Sequence, residues 1–121
     1  DVLKAHRIRD VTVTPFPALH TGKTNPTAVR VEIDGKTVSY TGDGEWTRHT
    51  PKLAADADLL IAECYAHDKP VRFHMNYPDI LAHWEDFGAK RIVLTHMGPD
   101  MLAHSDVIPQ ECACDGLVVR V

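Results

Sequence analysis

The sequence predicts an α/β (α+β) domain in which a mixed β-sheet carries helices on at least one face, and three observations predict it. Residues 28–33 alternate between apolar and polar side chains, as in a strand with one buried face. Residues 58–63 form an apolar run that ends in an acid, as in a strand buried on both faces. Between residues 76 and 87, apolar side chains recur at three- and four-residue steps, as on an amphipathic helix.

The remaining strands are predicted from β-branched residues and turn signals. Pro15 and Pro17 are expected to end the first strand, and Asp34-Gly35 predicts a hairpin. Asp115-Gly116 is expected to turn the chain into a last strand. The predicted strands cover residues 11–16, 28–33, 36–40, 58–63, 91–95 and 117–121.

Three short helices are predicted between these strands. The first covers 49–55, with Thr50 as its N-cap and Pro51 in its first turn. The second covers 76–87 and ends at Gly88, and the third covers 98–104. Six or so strands with only three short helices make a thin core, so we expect a further layer from a partner, and a homo-oligomer is one way to supply it.

Composition excludes several classes of function. The 121 residues indicate a single domain, residues 1–121. A formal net charge of −4 with scattered basic residues argues against a strong nucleic-acid surface. No apolar run approaches the ~20 residues that a membrane-spanning helix needs, so no membrane partner is expected. Three cysteines without secretory features predict a cytoplasmic location. The chain starts at Asp1 with a basic stretch before a strand, as if it began mid-protein.

Three ligand-type side chains follow the ends of predicted strands. Asp43 comes after the strand 36–40 and the turn residue Gly42, His20 follows the strand 11–16, and His96 follows the strand 91–95. Loops at strand ends gather in space on a rigid support, and imidazole with carboxylate suits zinc, manganese or iron. We therefore predict that His20, Asp43 and His96 form part of a metal site. The alternative interpretation is that Asp43 is an ordinary turn aspartate and that His20 and His96 are surface or core histidines.

Other residues are assigned more ordinary or more open roles. Glu63 ends the most buried strand and either orients a histidine or is an ordinary strand-end acid. His74 lies before the long helix, where it could cap that helix or assist a leaving group. The spacing Cys112-x-Cys114 is only a weak indication of a metal site. We favour the interpretation that both cysteines act as small apolar residues. The remaining histidines are interpreted as surface residues (His49, His67, His83 and His104). The aromatic residues are interpreted as packing residues, with stacking of one of them on substrate as the alternative (Trp46, Tyr65, Phe73 and Tyr77).

The order of these short motifs is informative. Residues 17–20 (Pro-Ala-Leu-His), 40–43 (Tyr-Thr-Gly-Asp), 60–64 (Leu-Ile-Ala-Glu-Cys), His74, 94–96 (Leu-Thr-His) and Asp115-Gly116 follow one another along almost the whole chain. This series resembles the C-terminal half of the metallo-β-lactamase superfamily. Within the superfamily it is most similar to the ribonuclease Z group and to the cyclic-phosphodiesterase enzymes of phosphonate breakdown.

The resemblance implies half of an αββα sandwich, with helices on one face of its mixed sheet and two divalent metal ions at the sheet edge. The ions would be Zn²⁺, with Mn²⁺ or Fe as alternatives. His20 would match a ligand of the first metal, Asp43 the bridging aspartate and His96 a ligand of the second metal. His74 would match the catalytic histidine that assists phosphodiester cleavage in the ribonuclease Z branch.

The chain also departs from the family pattern. It lacks the signature His-x-His-x-Asp-His of the N-terminal half, so that half is an implied partner, and the loop 21–27 lacks the glycine-tyrosine pattern of the ribonuclease Z branch. The leading hypothesis is half of a metal-dependent hydrolase that acts on a small phosphodiester. One alternative is a lactone or thioester hydrolase on the same scaffold, and the other is an inactive fragment or interaction module.

Overall fold

One seven-stranded mixed sheet organises the chain, and its strand order equals the order in the sequence. The computed structural model describes all residues, 1–121. The first four strands pair antiparallel, whereas the pairs β4–β5, β5–β6 and β6–β7 are parallel. The strands are β1 (His6–Ile8), β2 (Val11–Pro17), β3 (Thr27–Ile33), β4 (Lys36–Tyr40), β5 (Leu59–Glu63), β6 (Ile92–Thr95) and β7 (Glu111–Cys112).

Three short α-helices and one 3₁₀ turn connect the parallel strands. They are α1 (Thr50–Ala54), α2 (Tyr77–Ala82), the 3₁₀ turn (Trp84–Asp86) and α3 (Pro99–Leu102). Each α-helix has a proline in its first turn, where the missing N–H costs nothing. None of the helices has the length and apolar character that crossing a membrane requires.

All three helices pack on one face of the sheet, as predicted. Alternate residues of β5 and β6 on that face join side chains from α2, α3 and the loops in the main core. Helix α1 is fixed to the same face because the buried Ser39 hydroxyl donates a 2.7 Å hydrogen bond to the Leu53 carbonyl. The main-core residues shared by sheet and helices include Leu60, Ala62, Leu94, Ile80, Phe87 and Met101.

The opposite face of the sheet is apolar but not covered by any helix of this chain. The register pairs Val13 with Val31, Val31 with Val38 and Val38 with Leu59, so these side chains share one face. Val13, Val31 and Val38 are only half-buried. A sheet face of this kind is suited to cover by a second layer.

The predicted elements agree with the structure in kind, and several boundaries differ. Strand β2 continues through Pro15 and Pro17, which were expected to end it. Strand β1 stops opposite Val13, and the later residues of β2 have a strand partner only in β3. On the other side of β2, the Pro15 carbonyl accepts a 2.6 Å hydrogen bond from the Leu3 N–H, and a proline N–H is not needed there. The helix predicted over 76–87 is interrupted at His83, whose φ of −115° leaves the helical region.

The predicted last strand, 117–121, is wrong. The turn is formed, because the Leu117 N–H donates a 3.0 Å hydrogen bond to the Cys114 carbonyl. However, β7 at Glu111–Cys112 already occupies the position beside β6, so residues 117–121 have no strand to pair with.

Candidate metal centre

Four strands deliver side chains to the same edge of the sheet. Strands β4, β5 and β6 are parallel, and β2 runs in the same direction because β3 is antiparallel to both β2 and β4. Their C-terminal ends therefore lie at one edge, as the sequence analysis expected. The residues at or just after these four ends are His20, Asp43, Glu63 and His96.

Asp43 and His96 meet directly, since Asp43 Oδ1 lies 2.5 Å from His96 Nδ1. Asp43 is held in a tight turn between two glycines. Gly42 has a φ of +64°, and a Cβ added to it would lie 3.0 Å from the Thr27 carbonyl oxygen. A Cβ on Gly44 would lie 2.9 Å from the Leu19 carbonyl oxygen. The close approach of two neighbouring segments thus requires glycine on both sides of Asp43.

His20 reaches the centre from the loop after β2. Its Nδ1–H donates a 2.8 Å hydrogen bond to the Phe73 carbonyl, which leaves Nε2 free as a ligand. Phe73 adopts a left-handed φ of +69°, and its N–H donates a 2.8 Å hydrogen bond to Glu45 Oε1. Ligand histidines in metalloproteins are commonly oriented by such a bond to a carbonyl.

Glu63 is fully buried and receives three hydrogen bonds. Its Oε2 accepts from the Gly44 N–H at 2.6 Å and the Met75 N–H at 3.3 Å, and its Oε1 accepts from His74 Nδ1 at 2.5 Å. The Glu63 N–H in turn donates to the Thr41 hydroxyl at 2.9 Å. Of the two interpretations of Glu63, the structure supports the one in which it orients a histidine.

The imidazoles of the centre lie against one another. The His74 ring is 5.1 Å from the His20 ring and 5.7 Å from the His96 ring, centroid to centroid. Tyr65 stacks on His74 at 4.3 Å and contacts His96 edge-on at 5.8 Å. The structure therefore brings together the residues predicted for the site, and we refer to His20, Asp43, Glu63, His74 and His96 as the central cluster.

The donor set of the central cluster fits a divalent cation. One ligand atom each from Glu63, His74 and His96 lies within 4.8 Å of the others; this group includes His96 but neither His20 nor Asp43, and Asp43 joins it through its contact with His96. The local field is negative: burial raises the pKa of the Tyr40 hydroxyl, and the charges of Asp43 and Glu63 raise it further. Imidazole and carboxylate ligands together are those of zinc and related metal sites.

Sequence reasoning missed one contributor, assigned two others incompletely and was wrong about one cysteine. Glu45 was not considered, although it holds the backbone that orients His20; its bond to Phe73 joins residues far apart in sequence, so no local pattern signals it. Tyr65 and Phe73 were assigned to packing, yet they contact the central cluster. Cys114 is exposed, so the interpretation of it as a buried filler is wrong.

The histidines that were assigned to the surface lie outside the central cluster, but they are partly buried. His83 stacks on Trp46 with ring centroids 3.9 Å apart, and its Nδ1 contacts the Asp86 carboxylate at 2.8 Å. His67 and His104 stack on each other at 3.8 Å. These three histidines are therefore packed residues that also keep a polar contact.

Comparison with solved structures gives the same fold. The chain superposes on a diphosphatase from the PhnP family with a TM-score of 0.80 and 21% identity, covering 100% of this chain and 47% of that one. For human tRNase Z, short form (ELAC1), the TM-score is 0.74 with 22% identity, and the match covers 95% and 45% of the two chains. The metallo-β-lactamase fold protein YhfI from Bacillus subtilis gives 0.73 and 22%, covering 93% and 50%.

The chain thus spans about half the length of the solved structures that it matches. A search of curated proteins finds no match. Residues 3–97 match the family model described as the β-lactamase superfamily domain. The mixed sheet and its one layer of helices form half of the metallo-β-lactamase fold, and the family model matches most of the chain. The chain therefore belongs to the metallo-β-lactamase superfamily.

Proposed function

We propose that this chain supplies the C-terminal half of a metal-dependent hydrolase that cleaves a small phosphodiester. The observation that carries the proposal is the contact between buried Glu63 and His74, placed beside the contact between Asp43 and His96. The first pair suits proton transfer and the second suits cation binding. A cytoplasmic location accords with the three unpaired cysteines.

The cation-binding role falls to His20, Asp43 and His96, and two Zn²⁺ ions are the proposed cofactors. Asp43 has two carboxylate oxygens and can contact both ions, whereas the two histidines complete their coordination. When bound, the ions would lower the pKa of water from ~15.7 toward ~7 and offset the negative charge that develops on phosphoryl oxygens. The orientation of His20 by the Phe73 carbonyl prepares its Nε2 for this role.

His74 is the proposed general acid for the leaving oxygen. Its Nδ1–H is held by the Glu63 carboxylate, so the proton available for transfer is the one on Nε2. The N–H groups of Gly44 and Met75 keep that carboxylate in place. Stacking of Tyr65 on His74 fixes the plane of the imidazole. A positioned acid of this kind contributes roughly 10²–10⁴-fold to a rate.

Space for a substrate opens beside His74. An open cavity of about 380 Å³ is lined by His74, Trp46 and Arg72 among others. The Arg72 guanidinium lies over the Phe73 ring at 4.6 Å and forms no salt bridge. An unpaired guanidinium can bind a phosphate group, but the carboxylates of Glu45 and Asp79 line the same cavity. The preference for a phosphodiester over a lactone or thioester therefore rests on His74.

The proposed partner is the N-terminal half of the same fold. The half-buried valines Val13, Val31 and Val38 form an apolar face that is suited to cover by a second sheet, and this chain carries no His-x-His-x-Asp-His sequence. The solved structures that the chain matches are about twice its length. The same face would otherwise favour self-association into a homo-oligomer.

The test measures turnover of bis(p-nitrophenyl) phosphate by the chain together with its N-terminal half. His74→Ala should lower kcat by about 10²–10⁴-fold while zinc content stays unchanged. His83→Ala is the matched control, because His83 also contacts a carboxylate but lies outside the central cluster; it should leave kcat unchanged.

Loss of zinc in the His74→Ala variant would assign His74 to metal binding instead. Hydrolysis of lactones or thioesters with no activity on the phosphodiester would overturn the substrate class. A protein with both halves that binds no metal would favour the inactive module.

A further inference from the structure

A second group of ligand-type side chains lies outside the central cluster and has no role in the proposed reaction. One ligand atom each from His67, Asp68 and His104 lies within 4.8 Å of the others. His67 and Asp68 belong to the loop between β5 and α2, whereas His104 follows α3. Both histidines are half-buried and Asp68 is exposed. We refer to these three residues as the peripheral cluster.

The backbone beneath the peripheral cluster is fixed by Asp100 in the first turn of α3. Its Oδ2 accepts hydrogen bonds from the N–H groups of both His67 and Asp68, each at 2.9 Å. The loop and the helix are therefore joined at the point where the ligand-type side chains meet. A site assembled from two elements needs such a connection to hold its geometry.

One of the two imidazoles, His104, has a nitrogen in a defined state. His104 Nδ1–H donates a 2.8 Å hydrogen bond to the Asp100 carbonyl, so its Nε2 carries the free lone pair. A metal-bound histidine usually makes this kind of bond with its other nitrogen. His67 Nδ1 lies 2.5 Å from Asp68 Oδ1, so a donor nitrogen and a carboxylate oxygen already face each other.

We propose that the peripheral cluster binds one Zn²⁺ ion through His67 Nδ1, Asp68 Oδ1 and His104 Nε2, with water completing the coordination. In the metal-free chain, a hydrogen atom lies between His67 Nδ1 and Asp68 Oδ1. On binding, the neutral His67 ring would carry that hydrogen on Nε2 instead, so that Nδ1 is free for the ion. Two imidazoles and one carboxylate form a common zinc donor set.

Binding requires one movement, a turn of one of the two stacked imidazoles. Zinc lies about 2.0–2.2 Å from nitrogen and oxygen ligands, so donors as far as 4.8 Å apart must draw closer. The rings of His67 and His104 are nearly parallel, at 7°, whereas a shared ion needs their nitrogens to converge. His67 is held between Tyr77 and His104, but His104 is at the end of this stack and is the ring that would turn.

The consequence of binding would be a metal bridge between the loop after β5 and the end of α3. That loop leads directly to Phe73 and His74 of the central cluster. The peripheral site would therefore stabilise the segment that carries the proposed general acid, without contacting substrate.

The experiment measures zinc binding to the full 121-residue chain in which Asp43→Asn and His96→Gln remove central ligands. The proposal expects this parent variant to bind one equivalent of Zn²⁺. Adding His67→Gln or His104→Gln should weaken that binding at least tenfold. His83→Gln, at another histidine whose Nδ1 faces a carboxylate, should leave it unchanged.

A parent variant that binds no zinc, or one whose affinity is insensitive to both peripheral substitutions, would overturn the proposal. If the substituted chains fail to fold, a zinc titration of the wild-type chain followed by NMR replaces them. The imidazole resonances of His67 and His104 should then shift as their stack opens. If the His67 and His104 resonances stay in place while zinc is added beyond saturation of the central cluster, the proposal is overturned.

Discussion

The central and peripheral clusters use the same residue types but are built differently. In the central cluster, Glu63 is fully buried at a strand end, and its carboxylate accepts two backbone N–H groups in addition to His74. In the peripheral cluster, Asp68 is exposed on a loop and contacts only His67 through its side chain. The Glu63 carboxylate is bonded inside the folded protein, whereas the Asp68 carboxylate lies on its surface.

This difference indicates how each cluster should respond to change. A buried charge with fixed donors is costly to remove, because its partners are left unsatisfied in a medium where they cannot find water. An exposed charge leaves partners that water can solvate. We therefore expect substitutions to cause large losses of stability at the central cluster and small ones at the peripheral cluster.

The largest effect is expected from Glu63→Ala. The substitution leaves two buried N–H donors and the partly buried His74 without an acceptor, so we expect a loss of roughly 3 kcal/mol in the free energy of unfolding. Asp68→Ala is the counterpart at the peripheral cluster and should change stability by less than about 0.5 kcal/mol. Urea denaturation of both variants measures the difference. Equal losses in the two variants would refute the contrast.

A smaller effect is expected in the turn that positions Asp43. Gly42→Ala places a Cβ 3.0 Å from the Thr27 carbonyl oxygen at a φ of +64°, whereas Gly88→Ala meets nothing at a similar φ of +61°. Both variants carry the backbone strain of about 1 kcal/mol, and only Gly42→Ala adds the close contact. We expect Gly42→Ala to be the less stable in thermal denaturation. If the two variants have the same melting temperature, the close contact with Thr27 does not affect stability.

The smallest effect is expected at Asp100, beneath the peripheral cluster. The N–H of Asp68, followed by that of His67, lowers the pKa of this carboxyl below its ordinary value, and the nearby histidines act in the same direction. A lowered folded-state pKa means that the charge stabilises the fold above the ordinary pKa of about 3.9 and that this contribution is lost as the pH falls further.

Asp100→Asn keeps an acceptor oxygen but removes the charge. The stability difference between wild type and this variant should shrink as the pH falls below about pH 4. Urea denaturation across this pH range measures the difference. A difference that does not change with pH would show that the charge plays no part.

The sequence predicted the parts of the molecule that depend on local pattern. The alternation in 28–33 and the apolar run in 58–63 correspond to β3 and β5, because burial of one or two faces imposes those periods. The gathering of His20, Asp43 and His96 at one edge followed from strands that end side by side. The hairpin at Asp34-Gly35 is confirmed, with φ of +50° and +73° at the two residues.

The parts that could not be predicted depend on distant partners. The contact between Glu45 and Phe73, and the stacking of His67 on His104, join residues separated by long stretches of chain. The position of β7 was missed because β-propensity favoured residues 117–121, whereas pairing with β6 decides which residues form a strand. Local β-propensity carries no information about which segment pairs with β6.

The central claim is that His20, Asp43 and His96 hold divalent metal at the edge of the sheet. The most direct test is anomalous diffraction at the zinc absorption edge from crystals of the chain with its N-terminal half, grown with zinc. We expect anomalous peaks in contact with the side chains of His20, Asp43 and His96. Zinc-saturated crystals with no peak beside any of the three would contradict it.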